Sequence, residues 1–296
     1  MPVSLGSCGK AAACAREVGI GHAGQSRGKR MTYPHRPGGT AVARTAAPMG
    51  QHRWTVRRAN AGTPQTQQQF PARRFEALSL LPDGSLAEII KRAPAHPVFE
   101  AAFCALARGT IMATEDGPVA VEDLLPGMRI ETRDNGYQPL MWIGNMTLIP
   151  GQQPGQTPPR LFRIPVDSFG PSRPMPDLML APHARLLHRH ARLQDVVQGD
   201  SALTPITAFE DGQSVIRVAP ASPVNTYHLA FQDHQILRAN GLEIESYHPG
   251  TDLMTRLGAD GMRLFLSFFP HITSLSDFGP LCAPRLSPEE YETAIY

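Results

Sequence analysis

The chain has 296 residues, 42% of them hydrophobic, and its 29 Pro and 26 Gly interrupt long helices and favour short strands joined by turns. A net charge of +2 hides an asymmetry, because residues 1–75 balance at +11 and the remainder at −9. No stretch approaches the ~20 apolar residues of a membrane span and no apolar run opens the chain, so the expectation is no transmembrane segment, no signal peptide and a cytoplasmic location.

Residues 1–70 are basic, rich in Gln, Pro, Gly and Ala, and lack apolar periodicity, which predicts a disordered tail. No RNA-binding signature accompanies its arginines, so a solvated tail is the expectation and no nucleic-acid partner is assigned. Apolar runs at Phe75–Leu81 and Leu86–Ile90 flank Pro82-Asp83-Gly84, which predicts a β-hairpin over residues 71–94.

From residue 95 to 250 the texture is that of one all-β domain. The turn signals Asp116-Gly117, Pro126-Gly127 and Asn135-Gly136 recur every nine or ten residues, the interval of a sandwich or barrel rather than of strand-helix alternation. Between the turns, Val121, Leu124, Ile130, Trp142, Ile164, Leu180, Leu187, Leu229, Ile236 and Leu242 are predicted to be buried. Beyond Gly250, Leu253, Leu257, Leu264, Phe265, Phe268 and Phe269 fall at helical spacing, and Ser287-Pro288 reads as an N-cap and first helical residue, so residues 251–296 form a helical extension.

Cys8, Cys14, Cys104 and Cys282 are too dispersed for a metal-ligand pattern or a disulfide framework and are expected to be reduced. His183, His188 and His190 lack a Cys or carboxylate at ligand spacing and sit among Arg185, Arg189 and Arg192, which would repel a cation. No metal or other cofactor is assigned.

Three segments together resemble the bacterial Hint domains, the family of hedgehog autoprocessing domains and inteins. They are Arg108-Gly109-Thr110-Ile111 with the following Val121-Glu122-Asp123-Leu124, then Asp177 to Leu187 around Pro182-His183, and Tyr227 to Leu242 ending in Ala239-Asn240-Gly241. The resemblance implies a compact all-β Hint fold. It also implies chemistry in which a Cys thiol attacks the carbonyl of the residue before it, turning an amide into a thioester, while a His protonates the departing nitrogen. Carried onto this chain, the candidates are Cys104 as nucleophile, His183 as proton donor and His234 as polar helper.

The chain departs from the pattern at each place. Relatives resemble Cys-Phe-x-x-Gly-Thr, but five residues before Thr110 stands Ala105, with Cys104 one residue farther. The middle motif resembles Pro-Gln-His-Arg, whereas Pro182-His183-Ala184-Arg185 puts Ala184 at the His position. In a strand such an offset reverses the face of a side chain. A splicing domain ends in His-Asn where this chain has Glu245-Ser246, which excludes Asn cyclisation. The implied function is a splicing-incompetent descendant of self-cleaving domains, weak or inactive at the Phe103-Cys104 bond. The alternative is a non-catalytic β module that binds a protein partner. In that alternative Cys104 is a small buried hydrophobe, His183 a turn residue, His234 an exposed hairpin tip and Asn240-Gly241 a plain turn.

Overall fold

A computed structural model describes residues 70–151 and 158–295; the expectation of a disordered tail, with Cys8 and Cys14, lies outside them. The elements run β1 (Ala72–Leu80), β2 (Leu86–Pro94), α1 (Pro97–Ala101), β3 (Leu106–Ala107), β4 (Ile111–Thr114), β5 (Gly117–Ala120), β6 (Arg129–Thr132), β7 (Gly136–Pro139) and β8 (Trp142–Leu148). They continue with β9 (Leu161–Ile164), β10 (Leu178–Leu180), β11 (Arg185–Arg189), β12 (Ser201–Pro205), β13 (Ile216–Val218), β14 (Val224–Ala230), β15 (Ile236–Ala239) and β16 (Leu242–Glu245). Helices α2 (Leu253–Leu266) and α3 (Pro288–Ile295) follow.

The strands make two eight-stranded antiparallel sheets, the all-β architecture expected of a Hint-type fold. The first has the order β13-β9-β10-β3-β14-β8-β1-β2; the second runs β12-β11-β16-β15-β4-β6-β7 with β5 added on β4. The turn dipeptides act as turns because a residue without a side chain takes positive φ at no cost, as Gly136 does at +62° between β6 and β7. Asn240 takes φ +47° in the β15–β16 turn, and its buried amide does more than turn the chain. Its Oδ1 accepts the Ile111 N–H at 2.7 Å and its Nδ2 donates to the carbonyls of Pro176 and Asp177, so one side chain ties three segments together.

Alternation along the central strands gives the first sheet two buried faces. On β8 and β14, Ile143, Tyr227 and Leu229 join the main core with Met112, Val121, Leu124, Ile130, Ile164, Leu180 and Leu242. The opposite face carries Trp142, Met146 and Ala230 into a second cluster with Phe75, Phe99, Phe103, Phe265, Phe268 and Phe269. All ten residues predicted to be buried are buried; Leu187 and Ile236 do so in a small cluster of their own with Leu203.

The hairpin of β1 and β2 belongs to this layer, since β1 also pairs with β8 from Glu76↔Asn145 to Ser79↔Trp142. Helix α2 covers the aromatic face, and its Gly258, at φ +66°, breaks the helix near its start. Ser287 caps α3 by accepting the Glu290 N–H at 3.1 Å while Glu290 returns a bond to the Ser287 N–H at 2.7 Å.

Gly144 lies where the aromatic cluster meets β8. A Cβ there would stand 2.6 Å from Phe103 Cδ1 and would overlap the Trp142 ring as well. Gly144→Ala is therefore expected to destabilise the fold by about 1–3 kcal/mol through overpacking, read as a lowered Tm in thermal unfolding, and a Tm equal to the parent's would show that the two rings are free to move aside.

Candidate functional site

Helix α1 ends at Ala101, and the chain turns through Ala102 and Phe103 into Cys104 before entering β3. The peptide between Phe103 and Cys104 is held at both of its neighbouring carbonyls. Thr226 Oγ1 on β14 donates to the Phe103 carbonyl at 3.1 Å, sharing its proton with Met146 O at 3.3 Å. The His183 N–H donates to the Cys104 carbonyl at 3.2 Å. Cys104 is 3% exposed, and burial pushes its thiol up to about 12, only partly offset by a hydrogen bond with the Thr226 side chain.

Beside this junction lies a polar cleft of about 290 Å³ lined by Ala101, His183, Arg185, His228, Glu245, Tyr247, Arg256 and Arg285 among others. Thr226 and His228 reach this side of the sheet because they are two residues apart on β14. The His228 Nδ1 lies 2.7 Å from the Ala101 carbonyl, and a carbonyl only accepts, so Nδ1 carries the ring proton. Burial lowers His228 to about 4 against the pull of the Ala101 and Glu245 carbonyls. His183 is likewise lowered to about 4, by burial first and then by the charges of His228, Arg185 and Arg256. Both rings are therefore neutral at pH 7.

The floor of the cleft is a buried carboxylate. Glu245 receives Arg285 Nε at 2.7 Å and lies 3.5 Å from Arg185 Nε. Burial would raise its pKa, but the adjacent His234 ring and the charge of Arg285 outweigh that and hold the carboxyl below its usual range. Arg285 comes from the C-terminal segment and also donates to the His248 carbonyl at 2.8 Å.

The backbones of Cys104 and His183 meet in one wall, with His183 lining the cleft and Cys104 packed in the aromatic cluster, and His234 stands apart from both. His234 is 3% exposed, so the hairpin-tip expectation is corrected. Its Nδ1 accepts the Cys282 N–H at 3.1 Å, and its Nε2 sits 3.2 Å from Glu245 Oε1, off the line of a good hydrogen bond. It supports the carboxylate from behind. The expected reversal of strand faces does not occur, because Pro182 and His183 form a turn and Cys104 lies in irregular chain, where alternation does not apply. Ala184, at the motif's His position, is buried in the main core. Thr226 and His228 were not picked out from the sequence, although their period-two spacing beside Tyr227 was the available signal.

Among the described residues no group of three or more His, Cys, Asp or Glu side chains is arranged to hold a metal, and no helix is long and apolar enough to cross a membrane. A family model described as Hint domain matches residues 104–251, half of the chain. Among solved structures, the chain is similar to the AceL NrdHF class 3 split intein in a splice-inactive, GSH-linked form, at 10% identity and a TM-score of 0.33, with 48% of this chain and 97% of that chain covered. No curated protein matches the chain.

Acid is expected to unfold the protein through this cleft. A histidine whose folded pKa lies below its free value contributes stability above pH 6.5 that is lost as pH falls toward about 4, on the order of 3 kcal/mol for His228. The depressed Glu245 carboxyl acts in the same direction at lower pH. Urea midpoints measured from pH 7 to pH 4 should fall steeply, and His228→Gln should flatten that fall; an unchanged slope would remove His228 from the account. Glu245→Ala leaves two half-buried guanidiniums without their buried counter-charge and is expected to cost about 2–3 kcal/mol at pH 7 in the same urea measurement.

Proposed function

The chain belongs to the Hint domain family, and from that premise we propose that it is a self-processing domain that cuts slowly at Phe103-Cys104 and does not splice. The observation that carries this reading is the Thr226 hydroxyl on the Phe103 carbonyl at 3.1 Å. An attack at that carbon converts the carbonyl into an oxyanion, and a donor already in place stabilises the charge as it forms.

The step balances within the chain. His183, neutral at rest, takes the Cys104 thiol proton; the sulfur attacks the Phe103 carbonyl carbon; and the carbon-nitrogen bond breaks as the imidazolium returns the proton to the Cys104 nitrogen. An external nucleophile then takes the acyl group from sulfur. Nucleophile and carbonyl are neighbours in one chain, so no encounter is needed.

Burial makes the reaction slow. Burial pushes the thiol up to about 12 and holds the His183 ring down to about 4, so the proton transfer between them runs uphill. Splicing has no support because Glu245-Ser246 supplies no Asn to cyclise, and the Ser246 hydroxyl is occupied as acceptor of the Gln235 N–H at 2.9 Å. The burial of Phe103 and Cys104, each 3% exposed or less, favours the second reading, a non-catalytic module that keeps its chain whole.

Incubation of the full chain with hydroxylamine should release a fragment ending at Phe103, seen by denaturing mass spectrometry over hours to days. Its rate should change little between pH 7 and pH 9, because the thiol and the neutral imidazole that exchange the proton are both fully populated there. Cys104→Ala should abolish it and Thr226→Val should slow it about 10²-fold to 10³-fold. A chain uncut at every pH would leave the binding-module reading in place, and release that persists in Cys104→Ala would point to a contaminating protease.

A further inference from the structure

The segment before Cys104 is built into the domain. Strand β1 lies inside the first sheet, between β2 and β8, and the Leu80 N–H donates to the Met141 carbonyl at 2.8 Å. The rings of Phe75 and Phe103 lie 4.8 Å apart, and Phe103 meets Trp142 at 5.4 Å and Phe268 at 5.3 Å. Lys91 Nζ on β2 donates to the Ser267 carbonyl at 2.8 Å, and Ser79 Oγ on β1 pairs with His271 Nδ1 at 3.0 Å. The hairpin is thus gripped from two directions, by β8 within the family match and by the chain that follows it.

We infer that a cut at Phe103-Cys104 does not part the protein: residues 70–103 stay docked as a second, non-covalent chain, and the acyl end at Phe103 is modified where it lies. This rests on the self-processing reading for the cut itself, but not for the docking. The surface exposed by departure would be the face of Trp142, Phe265 and Phe268, which meet the rings of Phe75, Phe99 and Phe103 and are all 1% exposed or less, and water disfavours such a surface strongly. The occupant that fits it is the chain's own lead-in, through a strand edge on β8 and aromatic rings in register with it. A released N-terminal product is then not the outcome of processing; the outcome is a nicked protein with an altered end at Phe103.

The test makes a cut that does not depend on Cys104. A recognition site for a sequence-specific protease is inserted in the full chain between Ala95 and His96, after β2 and before α1, and the protease is added to the folded protein. The fragment through residue 95 should co-elute with the remainder in size-exclusion chromatography and separate from it only in concentrated urea. Elution of that fragment alone under native conditions overturns the inference. Phe75→Ala in the same background should weaken retention about a hundredfold or more, as loss of a buried aromatic side chain does. If that variant does not fold, Phe75→Leu provides a milder weakening on the same readout, and retention unchanged in both variants also counts against docking through the aromatic face. In parallel, the parent chain treated with hydroxylamine is read by denaturing and by native mass spectrometry. No cut in the denaturing spectrum sinks the self-processing reading alone, and the docking inference is then decided by the protease arm.

Discussion

The enclosure of the Phe103 ring is the constraint on which this structure turns. That one side chain meets Phe75, Trp142 and Phe268, and it fits only because Gly144 presents bare backbone beneath it. The packing joins the lead-in hairpin, the central strand β8 and helix α2 into one layer. It also fixes where the next residue lies. Cys104 follows the buried ring into the wall, and its neighbouring carbonyls meet Thr226 and His183 there. Hydrophobic packing of the residue before the nucleophile thus sets the geometry of the polar groups around it.

The same enclosure governs charge. A thiol and two imidazoles withdrawn from water keep their neutral forms, whereas Glu245 stays ionised because two guanidiniums and a histidine surround it. Low dielectric penalises an isolated charge and strengthens a paired one. Neutral groups thus stand at Cys104, His183 and His228, and the ionised carboxylate stands at Glu245 between its guanidiniums. That division separates the groups suited to moving a proton from those that hold the segments together.

Much of the fold was legible in the sequence because it depends on local signals: glycine at turns, alternation on strands and a capped terminal helix. The ten core positions needed nothing more than period and apolarity. The site was less legible because it is assembled from irregular chain. Alternation of faces holds only within a strand, and neither Cys104 nor His183 lies in one, so a one-residue offset there does not reverse a face. His234 reads as exposed beside Gln232 and Asp233, and what surrounds it is distant in sequence: Glu245, His248 and the Cys282 backbone. Thr226 and His228 looked like ordinary strand residues because what they bond to, the end of α1, lies more than a hundred residues earlier in the chain.

The C-terminal segment adds one more relation. Leu203 on β12 exchanges backbone hydrogen bonds with Pro284 and Leu286, which seats Arg285 against Glu245. A ribosome makes the chain in order, so residues 70–251 emerge before Phe268 can cover Phe103 and before Arg285 can reach the carboxylate. The nascent polypeptide therefore passes through an interval in which both sheets have all their strands while the junction still lacks its final cover. The length of that interval is set by the speed of translation, and closure of the last segment ends it.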